Sequence, residues 1–124
     1  MIVAVVGSRE FRNRELFNRE LAARLQPSDI IISGGARGPD SWAEEYAKQH
    51  GHEFHLYEAD WNQEGKSAGF KRNRRMAIAC DKVLAFWDNR SKGTRHTIEI
   101  AHQLGREIIV VFPSGKIKER KRIG

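Results

Sequence analysis

Residues 33–40, Ser-Gly-Gly-Ala-Arg-Gly-Pro-Asp, constrain this chain more than any other stretch. The run before them, Asp29-Ile30-Ile31-Ile32, reads as a buried strand, and residues 41–50 read as an amphipathic helix. Between the two lie three glycines, an arginine, a proline and an aspartate. A glycine-rich turn from strand to helix gathers backbone N–H groups and a helix N-terminus at one point. That geometry suits an anion, usually a phosphate.

The rest of the chain repeats the same grammar. Residues 2–6, IVAVV, are apolar without a break, which suits a strand covered on both faces, as in a parallel sheet. Asn13 is placed to cap a helix over about residues 14–26, where Phe17, Leu21 and Leu25 share a face. Strands are expected at about 29–33, 53–57, 82–86 and 107–112, with further helices at about 67–79 and 94–104. Gly51 stands where the second helix should end. Strands alternating with helices imply an α/β fold: one Rossmann-like domain over residues 1–114, with a mostly parallel five-stranded sheet flanked by helices. In such sheets ligands sit at the carboxyl ends of the strands.

Charge divides the chain unevenly. Of the net +6, the last ten residues contribute +4, so residues 115–124 read as a basic tail. That tail either reaches nucleic acid through phosphates or is a solvated terminus. No stretch is long and apolar enough for a membrane span, and the N-terminus lacks the marks of a signal peptide. Cys80 is the sole cysteine, so an internal disulfide is excluded and a cytoplasmic location is the expectation. Cys80 itself reads as a small apolar filler. The five histidines are scattered, and neither a metal site nor a cofactor is expected.

Three turns converge on one sheet edge. In the first, Gly7 permits close approach while Ser8 and Arg9 can donate hydrogen bonds. In the second, Ser33, Gly34, Gly35 and Gly38 leave the backbone bare, and Arg37 can bind phosphate bidentately. Pro39 fits the first helical turn, and Asp40 either binds a ribose hydroxyl or caps the helix. The pattern is neither a Walker A loop nor GxGxxG. In the third turn Ser91, Lys92, Gly93 and Thr94 again suit an anion. Trp61 and Trp87 either stack on a base or pack their loops. The run Lys71-Arg72-Asn73-Arg74-Arg75 places cations on a helix, of which Arg72 is the best placed to face the pocket.

Taken together, GSRxF, SGGARGPDxxA, ADWxxxGxxAGxxRNxxM and FWDxxSKGTxHTIxxA resemble the YpsA/YspA-related branch of the SLOG superfamily, over about residues 3–112. That superfamily is named for the DNA-uptake protein DprA and the cytokinin-activating LOG enzymes. The resemblance implies a Rossmann-like fold that binds nucleotides or their derivatives, with Ser33, Gly34, Gly35, Arg37, Gly38, Gly93 and Thr94 at the ligand. It also implies self-association. Residues 72–76, RNRRM, are similar to the LOG motif RKxxM, which adds weight to Arg72 and Asn73. LOG enzymes further use a glutamate three residues past the threonine of GGxGTxxE. Here Thr97 stands at that position, and Glu99 falls on another side of the helix.

Three functions follow as expectations. The first is binding of a nucleotide or nucleotide derivative as a sensor or accessory domain. The second is a phosphoribohydrolase-type enzyme, for which Asp40, Asp60 or Asp88 would have to replace the missing glutamate. The third is single-stranded nucleic acid binding, by similarity to DprA and through the tail.

Overall fold

The computed structural model describes residues 1–35 and 38–121. Arg37, expected at the ligand, lies outside the described residues. The chain forms β1 (Ile2–Gly7), α1 (Arg14–Arg24), β2 (Ile30–Ser33), α2 (Pro39–His50), β3 (Phe54–Leu56), α3 (Trp61–Glu64), α4 (Ala68–Ala79), β4 (Lys82–Phe86), α5 (Lys92–Gln103), β5 (Glu107–Val111) and β6 (Ile117–Arg120). The sheet order is β3-β2-β1-β4-β5-β6. All neighbours run parallel except β5 and β6.

Local chemistry explains the boundaries. Asn13 Oδ1 accepts the Leu16 N–H at 3.1 Å and starts α1. Pro39 opens α2, where a missing N–H costs nothing, and Gly51 ends it in the left-handed region at φ 75°. The long polar stretch before α4 contains the short α3, whose first turn Asp60 caps by accepting the Gln63 N–H. α5 begins two residues earlier than its apolar stripe suggests, because Ser91 caps it.

Side chains alternate along each buried strand, so the sheet feeds two cores. Val3, Val5, Ile31, Leu84 and Val111 face α1 and α2, where they meet Phe17, Leu21, Ala43 and Tyr46. Ala4, Val6, Ile32, Val83 and Val110 face the other side, with Met76, Cys80 and Ala101 of the α4–α5 layer. Helices on both faces explain why these strands tolerate no polar alternation.

The expected five strands become six. Ile117–Arg120, inside the stretch read as a basic tail, pairs antiparallel with β5. A tight turn makes this possible: the Phe112 N–H donates to Lys116 O at 2.9 Å, and Gly115 adopts φ 90°. Arg24 then bridges Glu20 of α1 at 2.9 Å and Glu119 of β6. The missed cue is Ile117 amid charges: its partly buried side chain packs on the α1–α2 core.

No helix among the described residues is long and apolar enough to cross a membrane.

Candidate functional site

The strand order reverses between β1 and β4, since β1 leads on to β2 on one side and β4 to β5 on the other. A crevice opens outside the carboxyl ends of the strands at such a point. Each of the three expected turns ends near it.

The first turn is stitched to its neighbours through backbone. Ser8 N–H donates to Phe86 O at 2.9 Å, and Ser8 Oγ accepts the Asp88 N–H at 3.1 Å. Ser8 is buried and serves as a tie between the first and third turns. A Cβ on Gly7 would stand 2.5 Å from the Pro39 ring, so only glycine lets α2 start against β1. The Gly7 N–H donates to Asp40 Oδ1 at 3.1 Å. Asp40 therefore joins the first turn of α2 to the end of β1, while the N-cap position of α2 belongs to Gly38.

The second turn meets α4 at one arginine. Arg72 Nη1 donates to Gly34 O at 2.8 Å and to Tyr57 O at 3.4 Å, and Nε donates to Asn73 Oδ1 at 3.0 Å. A Cβ on Gly34 would lie 2.5 Å from Nη1, so the bare glycine makes room for the guanidinium. Burial lowers the Arg72 pKa, Asp40 raises it, and Arg75 lowers it. A guanidinium starts so high that it stays charged. Ser33 is fully buried and donates to Val5 O at 2.7 Å, which locks β2 to β1.

The third turn is built around Asp88. Its Oδ1 accepts the N–H groups of Arg90 at 2.9 Å and Ser91 at 2.8 Å. Burial pushes the Asp88 pKa up, but the hydrogen bonds from Ser91, Arg90 and Ser8 outweigh it and hold the carboxyl below its ordinary value. Ser91 Oγ accepts the Thr94 N–H at 3.3 Å. Asn73 Nδ2 and Thr97 Oγ1 both donate to Gly93 O, at 3.2 and 3.3 Å. The Trp87 indole N–H donates to Ser91 O at 3.1 Å, which packs this tryptophan into its own loop.

These contacts enclose a cavity of about 530 Å³. Of the residues expected at the ligand, Gly7, Arg9, Asp40, Arg72, Asn73, Ser91, Gly93 and Thr94 line it. Ser8, Ser33, Gly34, Gly35, Gly38, Lys92, Trp61 and Trp87 are not in its wall. The glycines support the turns, with φ 75° at Gly35 and 77° at Gly38. Trp61 and Lys92 are exposed outside it.

Sequence reasoning misses Val6, Glu10, Met76 and Arg90 in the wall. Two of them had a signal. Arg90 sits inside the third turn, and Met76 follows Arg72 and Asn73 by one helical turn.

Arg9, Arg72 and Arg90 thus stand in the cavity wall together with Glu10, Asp40 and Asp88. Asp40 and Asp88 are engaged with backbone N–H groups, and Glu10 pairs with Arg12 at 3.0 Å. Thr97 is buried in the wall, whereas Glu99 is exposed and pairs with Arg95 at 2.9 Å. Among the described residues no group of three or more metal-ligating side chains comes together.

A doubly wound sheet with a cation-bearing cavity at its reversal point places the protein among Rossmann-like α/β domains. Within that class the chain belongs to the YspA, cpYpsA-related SLOG family (YAcAr), whose model matches residues 1–63. The Gene 61 protein of Mycobacterium phage D29 is 38% identical over 116 residues, covering 86% of this chain and 93% of that protein.

Two solved structures share the fold. DNA processing protein A (DprA) from Streptococcus pneumoniae superposes with a TM-score of 0.74 and 24% identity, over 88% of this chain and 49% of that one. DprA from Helicobacter pylori, a structure concerned with that protein's single-stranded DNA binding mode, gives 0.68 and 20%, over 90% and 65%. The chain thus spans about half the length of the pneumococcal protein.

Proposed function

We propose that the cavity binds a nucleotide or nucleotide derivative through its phosphate. The observation that carries this reading is the start of α5. Among the described residues, the Lys92 and Gly93 N–H groups have no hydrogen-bond partner, as befits the first turn of a helix. A Cβ on Gly93 would meet nothing within 4 Å, and its φ is not positive. Neither the fold nor the backbone needs glycine there. Alanine would serve the helix better by roughly 0.5–1 kcal/mol. A bare backbone that the fold does not require, beside Arg72 and Arg90, suits close approach by an anion. The cavity volume also lies within the usual range for small-ligand sites.

Binding is better supported than glycosidic cleavage. Cleavage calls for a carboxylate free to act on water or the sugar, and the wall's acids are held by other groups.

Calorimetry against nucleoside monophosphates, cyclic nucleotides and ADP-ribose tests the reading. At least one should bind, and Arg72→Ala should weaken it about 10- to 100-fold through loss of charge-assisted hydrogen bonds. If none binds, or if Arg72→Ala binds like the native protein, the reading is wrong. Release of free base that Arg72→Ala abolishes would replace it with a phosphoribohydrolase.

A further inference from the structure

Arg72 and Asn73 are consecutive in α4, yet their side chains meet, with Arg72 Nε donating to Asn73 Oδ1 at 3.0 Å. Neighbouring residues in a helix point about 100° apart and do not ordinarily face each other. Contacts on either side draw these two together. Toward β2 and β3, Arg72 Nη1 is held by Gly34 O at 2.8 Å and Tyr57 O at 3.4 Å. Toward α5, Asn73 Nδ2 donates to Gly93 O at 3.2 Å. A line of hydrogen bonds therefore runs from the second turn to the third, through Gly34 O, Arg72, Asn73 and Gly93 O.

The α5 end of that line is firm. Gly93 O lies in the first turn of α5 and also accepts the Thr97 hydroxyl at 3.3 Å. Thr97 is 1% exposed, so its hydroxyl pins the carbonyl from within the wall. The Asn73 amide is 6% exposed and can sit one way only. Its oxygen must face Nε–H and its nitrogen must face Gly93 O, because the reverse sets donor against donor and acceptor against acceptor. An ionised aspartate there would accept but not donate, and a leucine would do neither.

Arg72 needs such a hold. Asp40 attracts its guanidinium and Arg75 repels it. An arginine left free gives up rotamer freedom when a ligand orders it, and one already fixed does not. With Nη1 and Nε engaged, Nη2 makes no hydrogen bond among the described residues, and the side chain stands in the cavity wall. The guanidinium is thus fixed while one nitrogen remains for a ligand. Asn73 belongs to the same wall, but both its polar atoms are already bonded within the protein.

We propose that Asn73 is a positioning residue, which relays the placement of Gly93 O to Arg72 and holds the guanidinium for an anion without touching the anion itself. This rests on the cavity reading above. Resemblance puts Asn73 at the ligand; here it acts one bond away, through its neighbour. Thr97 stands one step further back on the same line.

The test follows AMP, cyclic AMP and ADP-ribose by calorimetry in the native protein, Asn73→Ala, Arg72→Ala, the double variant and Thr97→Val. Asn73→Ala should weaken the tightest of these probes about 10-fold. The double variant should bind within about 3-fold of Arg72→Ala, since Asn73 then has nothing left to place. Proton–nitrogen NMR gives a direct readout. The Arg72 Nε–H signal, assigned by its loss in Arg72→Ala, should shift and exchange faster with solvent in Asn73→Ala, which a contribution to stability alone would not produce. Thermal melts check folding. Thr97→Val keeps Asn73 in place and should move the same signal, so the relay is tested even if Asn73→Ala does not fold.

Losses that multiply in the double variant overturn the proposal and put Asn73 on the ligand. Asn73→Ala that binds like the native protein, or an Nε–H signal that neither variant moves, also overturns it. In each of these cases a probe still binds and the cavity reading stands. If no probe binds the native protein, both fall.

Discussion

Two glycines of the site should answer alanine in opposite ways. At Gly34 a Cβ would stand 2.5 Å from Arg72 Nη1, so Gly34→Ala must push out the guanidinium. Its hydrogen bonds to Gly34 O and Tyr57 O would go with it. Stability should drop by roughly 1–3 kcal/mol, and ligand affinity should drop with it. Gly93→Ala should leave the melting temperature level or slightly higher, yet weaken the ligand by taking up its space. Thermal melts paired with calorimetry separate the two.

Asp88 sets a pH dependence. Its folded pKa lies below the unfolded value of about 3.9, so its stabilisation is present above that value. The contribution is lost as pH falls through the folded pKa. Asp88→Asn should flatten that acid limb in urea denaturation series. Cys80 is buried, and its thiol is pushed up to about 11 chiefly by burial. Native protein at pH 8 should resist iodoacetamide, and urea-unfolded protein should react; rapid native alkylation would contradict this.

At the level of elements, β6 is the case in which composition misleads. Its charges suggest a solvated terminus, yet its backbone completes the sheet edge beside β5. Deleting residues 116–124 should expose that edge, free Arg24 from Glu119, and cost on the order of 2–4 kcal/mol. Deleting only residues 121–124 should cost far less, and denaturant titration of both truncations decides it. α4 shows the converse. Its sequence puts Arg72 ahead of the other cations, and packing separates them: Arg72 lines the cavity wall, while Arg75 donates to Glu58 O and pairs with Glu64.

For the whole molecule, one topological fact governs the site. α1 and α2 cover one face and α4 and α5 the other, so connections leave β1 and β4 in opposite directions and a crevice remains between them. A ligand held there contacts both halves of the sheet. At about 100 times its dissociation constant it should add roughly 2.7 kcal/mol to stability, seen as a higher melting temperature that Arg72→Ala diminishes.

Five of the six strands, the four longer helices and the three turns were legible because each rests on local patterns: apolar runs, helical stripes, and capping residues beside glycine. Eight of the wall residues could be named for the same reason. What the sequence alone left open was every pairing between distant residues. Asp40 meets Gly7 across 33 positions, Arg72 meets Gly34 across 38, and Asp88 meets Ser8 across 80. Local propensity carries no information about such partners. Only the packed sheet decides that Ser8 and Ser33 are structural ties, that Trp87 packs its loop, and that Trp61 stands outside the cavity. The chemistry of the turn at residues 33–40 suggests an anion site, but of its described residues only Asp40 lines the cavity, and the rest of that wall comes from strands, helices and turns far away in the chain.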